Sequence, residues 1–187
     1  MIAAKTKKVI LLFLLFFSAA AILESCCKQE YRLTGITDFY AVNSAVSYTN
    51  RNEAIQIIRN DFTMVVPFDK KIAGLNVRLT STACALTCKP NLVNQILEEN
   101  VQLTCNRSFV YNGDTVQQGT NILALQYVEL SFHQDYSRST PELYIYFTPD
   151  FVDRVSFHDS LHLFHLSVPT NDGLIFEKEE ELLMLIN

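Results

Sequence analysis

Three histidines in eight residues, His158, His162 and His165, with Asp159 beside them, form the densest group of potential metal ligands or proton carriers in the chain. On a helix, positions i, i+4 and i+7 share a face and would suit a metal ion. The residues that follow favour a strand, because Phe164, Leu166 and Val168 alternate with polar neighbours, and a strand sends His162 and His165 to opposite faces. The group is therefore read as surface or strand-edge histidines, with His133 separate from them, and no metal site is assigned. Serine, histidine and aspartate are all present, but there is no Gly-x-Ser-x-Gly elbow, no Gly-rich phosphate loop and no His-Glu-x-x-His helix. The expectation is a protein without catalytic residues and without a cofactor. Glu177, Glu179, Glu180 and Glu181 around Lys178 read as a solvated acidic run, and Asn106-Arg107-Ser108 as a chance match to a glycosylation acceptor.

Tyrosine is the more suggestive chemistry. Tyr111, Tyr127, Tyr136, Tyr144 and Tyr146 are candidates for a surface that stacks on sugar rings or meets another protein, since a ring with a polar tip suits a wet interface. Tyr144 and Tyr146 are the leading pair, because Leu143, Ile145 and Phe147 alternate with them and claim the core side of a strand. The competing reading is that these tyrosines only cover the outer face of a sheet.

Five cysteines divide by context. Lys5, Lys7 and Lys8 precede an apolar run from Val9 to Leu23, the layout of an export signal. That run is shorter than the roughly 20 residues a membrane-spanning helix needs. Leu23-Glu24-Ser25-Cys26 follows and resembles a lipobox, the processing site of bacterial prolipoproteins, with Leu23 at the aliphatic position and Ser25 at the small one. Glu24 departs from the strict pattern in the way the looser Bacteroidota lipoboxes do. Cys26 is thus expected to be the lipidated residue, with residues 1–25 removed and acyl chains holding the protein on a membrane. Cys27-Lys28-Gln29-Glu30 is similar to the Lys-then-acidic tags of surface-displayed Bacteroidota lipoproteins, so the outer membrane is the expected location, its face left open. Cys27, Cys84, Cys88 and Cys105 then remain as disulfide candidates in an oxidising compartment. Cys84 and Cys88 are too far apart in an extended segment to join each other, so Cys105 is expected to take one of them. A zinc site is the alternative use of the same cysteines.

These groups need a scaffold. Of the 187 residues, removal of the first 25 leaves 162, taking three lysines and one glutamate from the 15 basic and 20 acidic side chains and leaving a formal charge of −7. That length suits one domain with a real core, and an acidic chain without a basic patch argues against a nucleic-acid partner. Thirteen Phe, eight Tyr and no Trp favour strands. Strands are expected over Ile36–Val42, Phe62–Phe68, Leu75–Ala85, Val101–Cys105, Ile122–Phe132, Glu142–Phe147, Leu161–Val168 and Leu174–Ile186. Tight turns are expected at Asn112-Gly113-Asp114 and at Asn171-Asp172-Gly173, the latter joining the last two strands. Short helices are expected over Ala54–Arg59 and Leu92–Asn100, with Asn91 as a cap. The division that follows is a signal peptide over 1–25, a lipidated tether over 26–34 and an all-β, antiparallel, immunoglobulin-like sandwich over 35–187.

The mature chain resembles a family of small, uncharacterised Bacteroidota lipoproteins. The residues that carry the likeness are Cys26-Cys27, the stretch from Ala83 to Pro90, the strand ending in Cys105, Gly119 before Asn121, and the closing Asn171-Asp172-Gly173 turn. The resemblance implies a lipid anchor and a β-sandwich, and no known activity. The functional expectation is an envelope-anchored, non-enzymatic binding module whose partner is a glycan or another envelope protein. The alternatives are a structural subunit of a surface adhesin or fimbria, and a hydrolase with a diffuse site.

Overall fold

A computed structural model describes residues 30–43, 56–58, 60–73, 91–134 and 140–186. Cys26, Cys27, Cys84, Cys88, Tyr136 and the strand expected over Leu75–Ala85 lie outside the described residues. The chain divides into two compact units. The smaller comprises residues 1–32, 71–93 and 136–138. Within it, Glu30 and Tyr31 of β1 (Glu30–Ile36) pair in parallel with Asn91 and Leu92 of β5 (Asn91–Leu92), and the Ala73 N–H donates to the Glu30 carbonyl at 2.9 Å.

The larger unit, residues 33–70, 94–135 and 139–187, holds the long strands. In its first sheet the order runs from β1 to β4 (Phe62–Ile72), β10 (Glu142–Phe147) and β9 (Val128–His133), and β2 (Tyr40–Asn43) also pairs with β4. Its second sheet runs β3 (Gln56–Ile58), β13 (Ile175–Met184), β12 (Ser160–Pro169), β6 (Gln102–Cys105). Alternation decides which faces meet. Phe62, Met64, Val66 and Phe68 of β4 and Leu143, Ile145 and Phe147 of β10 are buried, as are Phe164, Leu166 and Val168 of β12. Phe62 and Phe147 stack at 4.2 Å between neighbouring strands, and Phe68 meets Phe176 of the other sheet edge-on at 6.0 Å. Two largely antiparallel sheets thus pack face to face as a β-sandwich. Burying a phenylalanine is worth about 1.5–3 kcal/mol, so this run of rings is the main term holding the sheets together.

The turns follow their residue types. Asn112 and Gly113, at φ 52° and 85°, close a two-residue hairpin between β7 (Phe109–Tyr111) and β8 (Asp114–Val116), as a primed turn requires. Asn171-Asp172-Gly173 joins β12 to β13, and Thr170 Oγ1 donates to Asp172 at 2.6 Å to brace it. With β11 (Val155–Ser156), β7 and β8 form a third small sheet, for which their short apolar runs gave no signal.

Several elements differ from expectation. The segment read as a tether is already strand from Glu30, and Leu33 within it is fully buried. Asn94 explains the second helix that did not form: its buried side chain accepts from the Leu33 N–H at 2.8 Å and donates to the Leu33 carbonyl at 3.0 Å, standing in for a neighbouring strand. Asn91 is in β5 rather than a cap, and only a 3-10 turn at Glu98–Asn100 remains of that helix. Gln56–Ile58 in the first expected helix is β3, paired with β13. The strand expected over Ile36–Val42 is interrupted at residues 37–39 between β1 and β2. That expected over Ile122–Phe132 begins as a 3-10 turn at Ile122–Ala124, because Asn121 Oδ1 accepts from both Leu123 N–H and Leu103 N–H and starts the turn there.

Candidate functional site

The register of β10 against β9 places Glu142 opposite His133, Tyr144 opposite Ser131 and Tyr146 opposite Glu129. Opposed residues share a face, so these six side chains form two columns on the side away from the phenylalanine core. On the same side, β4 and β2 add Val65 and Tyr40 at the level of Tyr144, and Thr63 and Val42 at the level of Tyr146. Tyr144 and Tyr146, predicted from sequence to share a half-exposed face, do so. Their rings are nearly parallel, 10° apart with centroids at 5.9 Å, and the His133 ring stands at 88° to Tyr144 at 5.1 Å. That spacing is shorter than the step of nearly 7 Å between same-side positions on a strand, so the rings lean together as an offset stack.

Polar contacts fix the stack. The Tyr144 hydroxyl donates to Glu142 Oε2, and Ser131 Oγ lies 3.1 Å from His133 Nε2. Burial pushes the Tyr144 phenol well above its usual range, and the hydrogen bond to Glu142 adds to the effect, so the hydroxyl stays protonated and directed at that carboxylate.

The columns end in a corner. Thr148, next along from Phe147, donates to the Tyr127 carbonyl through its N–H at 3.2 Å and through Oγ1 at 3.1 Å. Tyr127 itself lies at φ 63°, a costly conformation for a bulky side chain, and its ring is exposed. Arg154, following the short helix Pro149–Val152, sits over that ring at 4.9 Å and donates to Asn112 Oδ1 at 3.2 Å. Tyr111, expected on the surface, is instead buried against Phe151, and its hydroxyl donates to the Gln126 carbonyl at 2.9 Å, anchoring this corner from inside. Burial raises its phenol pKa too.

The histidine group separates as a strand dictates, with His162 turned into the core and His165 to the other side. His162 is not a surface residue, however. It is fully buried on the same side as Phe164, with Nδ1 3.4 Å from Cys105 Sγ and Nε2 3.0 Å from the His158 carbonyl. Cys105, expected in a disulfide, is a free buried thiol here, its position on the core side of β6 placing it against that imidazole. Burial pushes the Cys105 thiol up and the His162 imidazole down, so the pair is neutral: with Nε2–H donating to the His158 carbonyl, Nδ1 accepts from the thiol. The neutral pair packs in the core, where the His162 ring meets Phe157 at 5.2 Å and Phe164 at 6.5 Å. Asn106 Oδ1 accepts from the Leu163 N–H at 3.0 Å, and among the described residues no group of three or more His, Cys, Asp or Glu side chains is placed to hold a metal ion.

Sequence reasoning singled out the two tyrosines but missed Glu129, Ser131, Glu142 and Arg154. Period two along β10 already puts Glu142 on the face of Tyr144 and Tyr146, a signal left unused, whereas Glu129 and Ser131 are brought there by strand register and Arg154 follows the turn at residues 149–154.

No family model matches the chain, and no curated protein matches it. Among solved structures, one of murine CRIg is matched over 70% of this chain and 87% of its own, at 12% identity and a TM-score of 0.25, a likeness too slight to bear on function.

Proposed function

We propose that the protein is an envelope lipoprotein, anchored through Cys26 after loss of residues 1–25, that binds a partner without catalysing a reaction. Its binding surface in this reading is the outer face of β10 and β9. The observation that supports it is the Tyr144–Tyr146 stack, held parallel and braced by Glu142 and His133 before any partner arrives. Rings fixed in this way lose little conformational freedom on binding, which favours recognition over mere coverage of a sheet. The lipobox-like Leu23-Glu24-Ser25-Cys26 and the resemblance to small Bacteroidota lipoproteins support an outer-membrane location.

The test is a pull-down from envelope extract together with a glycan array, using the full chain in mild detergent alongside Tyr144→Ala and Tyr146→Ala. The expected outcome is a partner retained by the parent chain and lost by both variants. Binding that survives both substitutions removes this face from consideration. Polymers of the protein on native gels, with no other partner, point instead to a structural subunit of an adhesin or fimbria. Turnover of an envelope substrate overturns the non-enzymatic reading.

A further inference from the structure

The face proposed above carries a mixed set of groups, and the mixture selects among ligand classes. Between Glu142 and Thr148, six residues of extended backbone, it runs for about 20 Å. Along it lie two carboxylates, Glu142 and Glu129; groups that both donate and accept, Ser131, His133 and Thr148; a tyrosine stack; and, at the Tyr127 end, a guanidinium.

A polyanion would meet Glu129 and Glu142 along the strip with Arg154 at one end to offset them. A polycation would favour the carboxylates, but one of the two on the strip already accepts from Tyr144, and the far end mixes the Arg154 guanidinium with the exposed Asp150 and Asp153, so no run of one charge is set out along it. A chain of neutral sugars fits the whole strip. Its hydroxyls donate to the carboxylates and accept from Arg154, while its flat C–H faces lie against tyrosine. We infer that this face accepts a neutral, hydroxyl-rich polysaccharide, one carrying neither carboxylate nor amine groups. The inference rests on the binding reading above and narrows it to one ligand class.

Tyr127 supports this. A bulky residue at positive φ, exposed yet with its own and the preceding carbonyl fixed by three hydrogen bonds, stands at the end of the β9–β10 pair without the reward of burial. Arg154, over one side of the ring and bound to Asn112, extends the surface with fixed donors.

The experiment is affinity electrophoresis of the full chain in detergent through gels containing a soluble neutral β-glucan, α-mannan or dextran, with alginate as the polyanion and polylysine as the polycation. Retardation by at least one neutral polymer is expected, with little change between about 0.05 and 0.5 M salt because no ion pair is involved. Tyr146→Ala should weaken it by about tenfold, and Glu129→Leu more than Glu129→Gln, since the amide can still accept. Tyr144→Phe keeps the ring and serves where Tyr144→Ala perturbs the fold; it should bind less tightly than the parent chain but more tightly than a variant lacking the ring. Salt-sensitive retardation by alginate or polylysine alone overturns the inference. So does the absence of retardation in every neutral gel. If an envelope protein is meanwhile captured by the parent chain and lost with Tyr146→Ala, the binding face survives and only the glycan assignment fails; if neither is observed, both fail.

Discussion

At His162 both ring nitrogens are committed, one to a buried thiol and one to a backbone carbonyl, and the ring has no access to water. Protonation would leave a charge in the core with a thiol as its neighbour, which is why burial holds the imidazole below its ordinary value of 6.5. A histidine with a depressed folded pKa binds fewer protons folded than unfolded, so its contribution to stability is intact above the unfolded pKa and declines as pH falls below it, levelling off beneath the folded pKa. Denaturant midpoints measured from about pH 7.5 to 5 should therefore fall on the acid side of about 6.5. In His162→Gln this part of the slope should be reduced, whatever the variant's absolute stability; an unchanged slope would assign the acid sensitivity to another group. The sequence showed that a strand would separate His162 from His165, because that follows from period two alone. The same period also puts His162 on the side of Phe164, Leu166 and Val168, so its inward face was legible; what was not legible is the company it keeps there, because Cys105 and Phe157 arrive from elsewhere in the chain.

Among the elements, the hairpin between β7 and β8 depends on two positive-φ residues, and Gly113 at φ 85° is the one without a side chain. There is open space where its Cβ would lie, so a substitution there is opposed by backbone strain alone. Gly35, in β1, likewise has open space where a Cβ would lie, but no positive φ. The two should respond with opposite signs. Gly113→Ala should lower unfolding stability by about 1–2 kcal/mol, whereas Gly35→Ala should raise it by up to about 1 kcal/mol by removing unfolded-state freedom. Equal shifts in denaturant midpoint would show that the turn conformation is not what matters. Elements were legible where local chemistry is decisive: the Asn-Gly turn, and β10, whose bounds Glu142–Phe147 follow from strict alternation. They were illegible where a side chain replaces a backbone partner. Asn94 is the clearest instance, because a residue that reads as helix-compatible is spent on bonding both backbone groups of Leu33, sixty-one positions away.

For the whole molecule, the face-packed sandwich was legible from the recurrence of apolar alternation, while the third sheet was hidden in strands of two or three residues, too short to show a period. The early start of β1 also changes what the proposed anchor implies. Glu30 is strand, and the four peptide units from Cys26 to Glu30 can span at most about 14 Å. An acylated Cys26 would then hold Glu30, at the start of β1, within that distance of its lipid anchor. The acyl chains would supply the attachment: at about 0.8 kcal/mol per buried methylene, a diacylglyceryl group suffices where an acidic chain gains nothing from anionic lipid. Cells given radiolabelled fatty acid should incorporate label into the parent chain and into Cys27→Ala, and not into Cys26→Ala, which should also leave the membrane fraction. Label that persists in Cys26→Ala and disappears from Cys27→Ala would move the acceptor by one residue; label in neither parent nor variants would remove the lipid anchor.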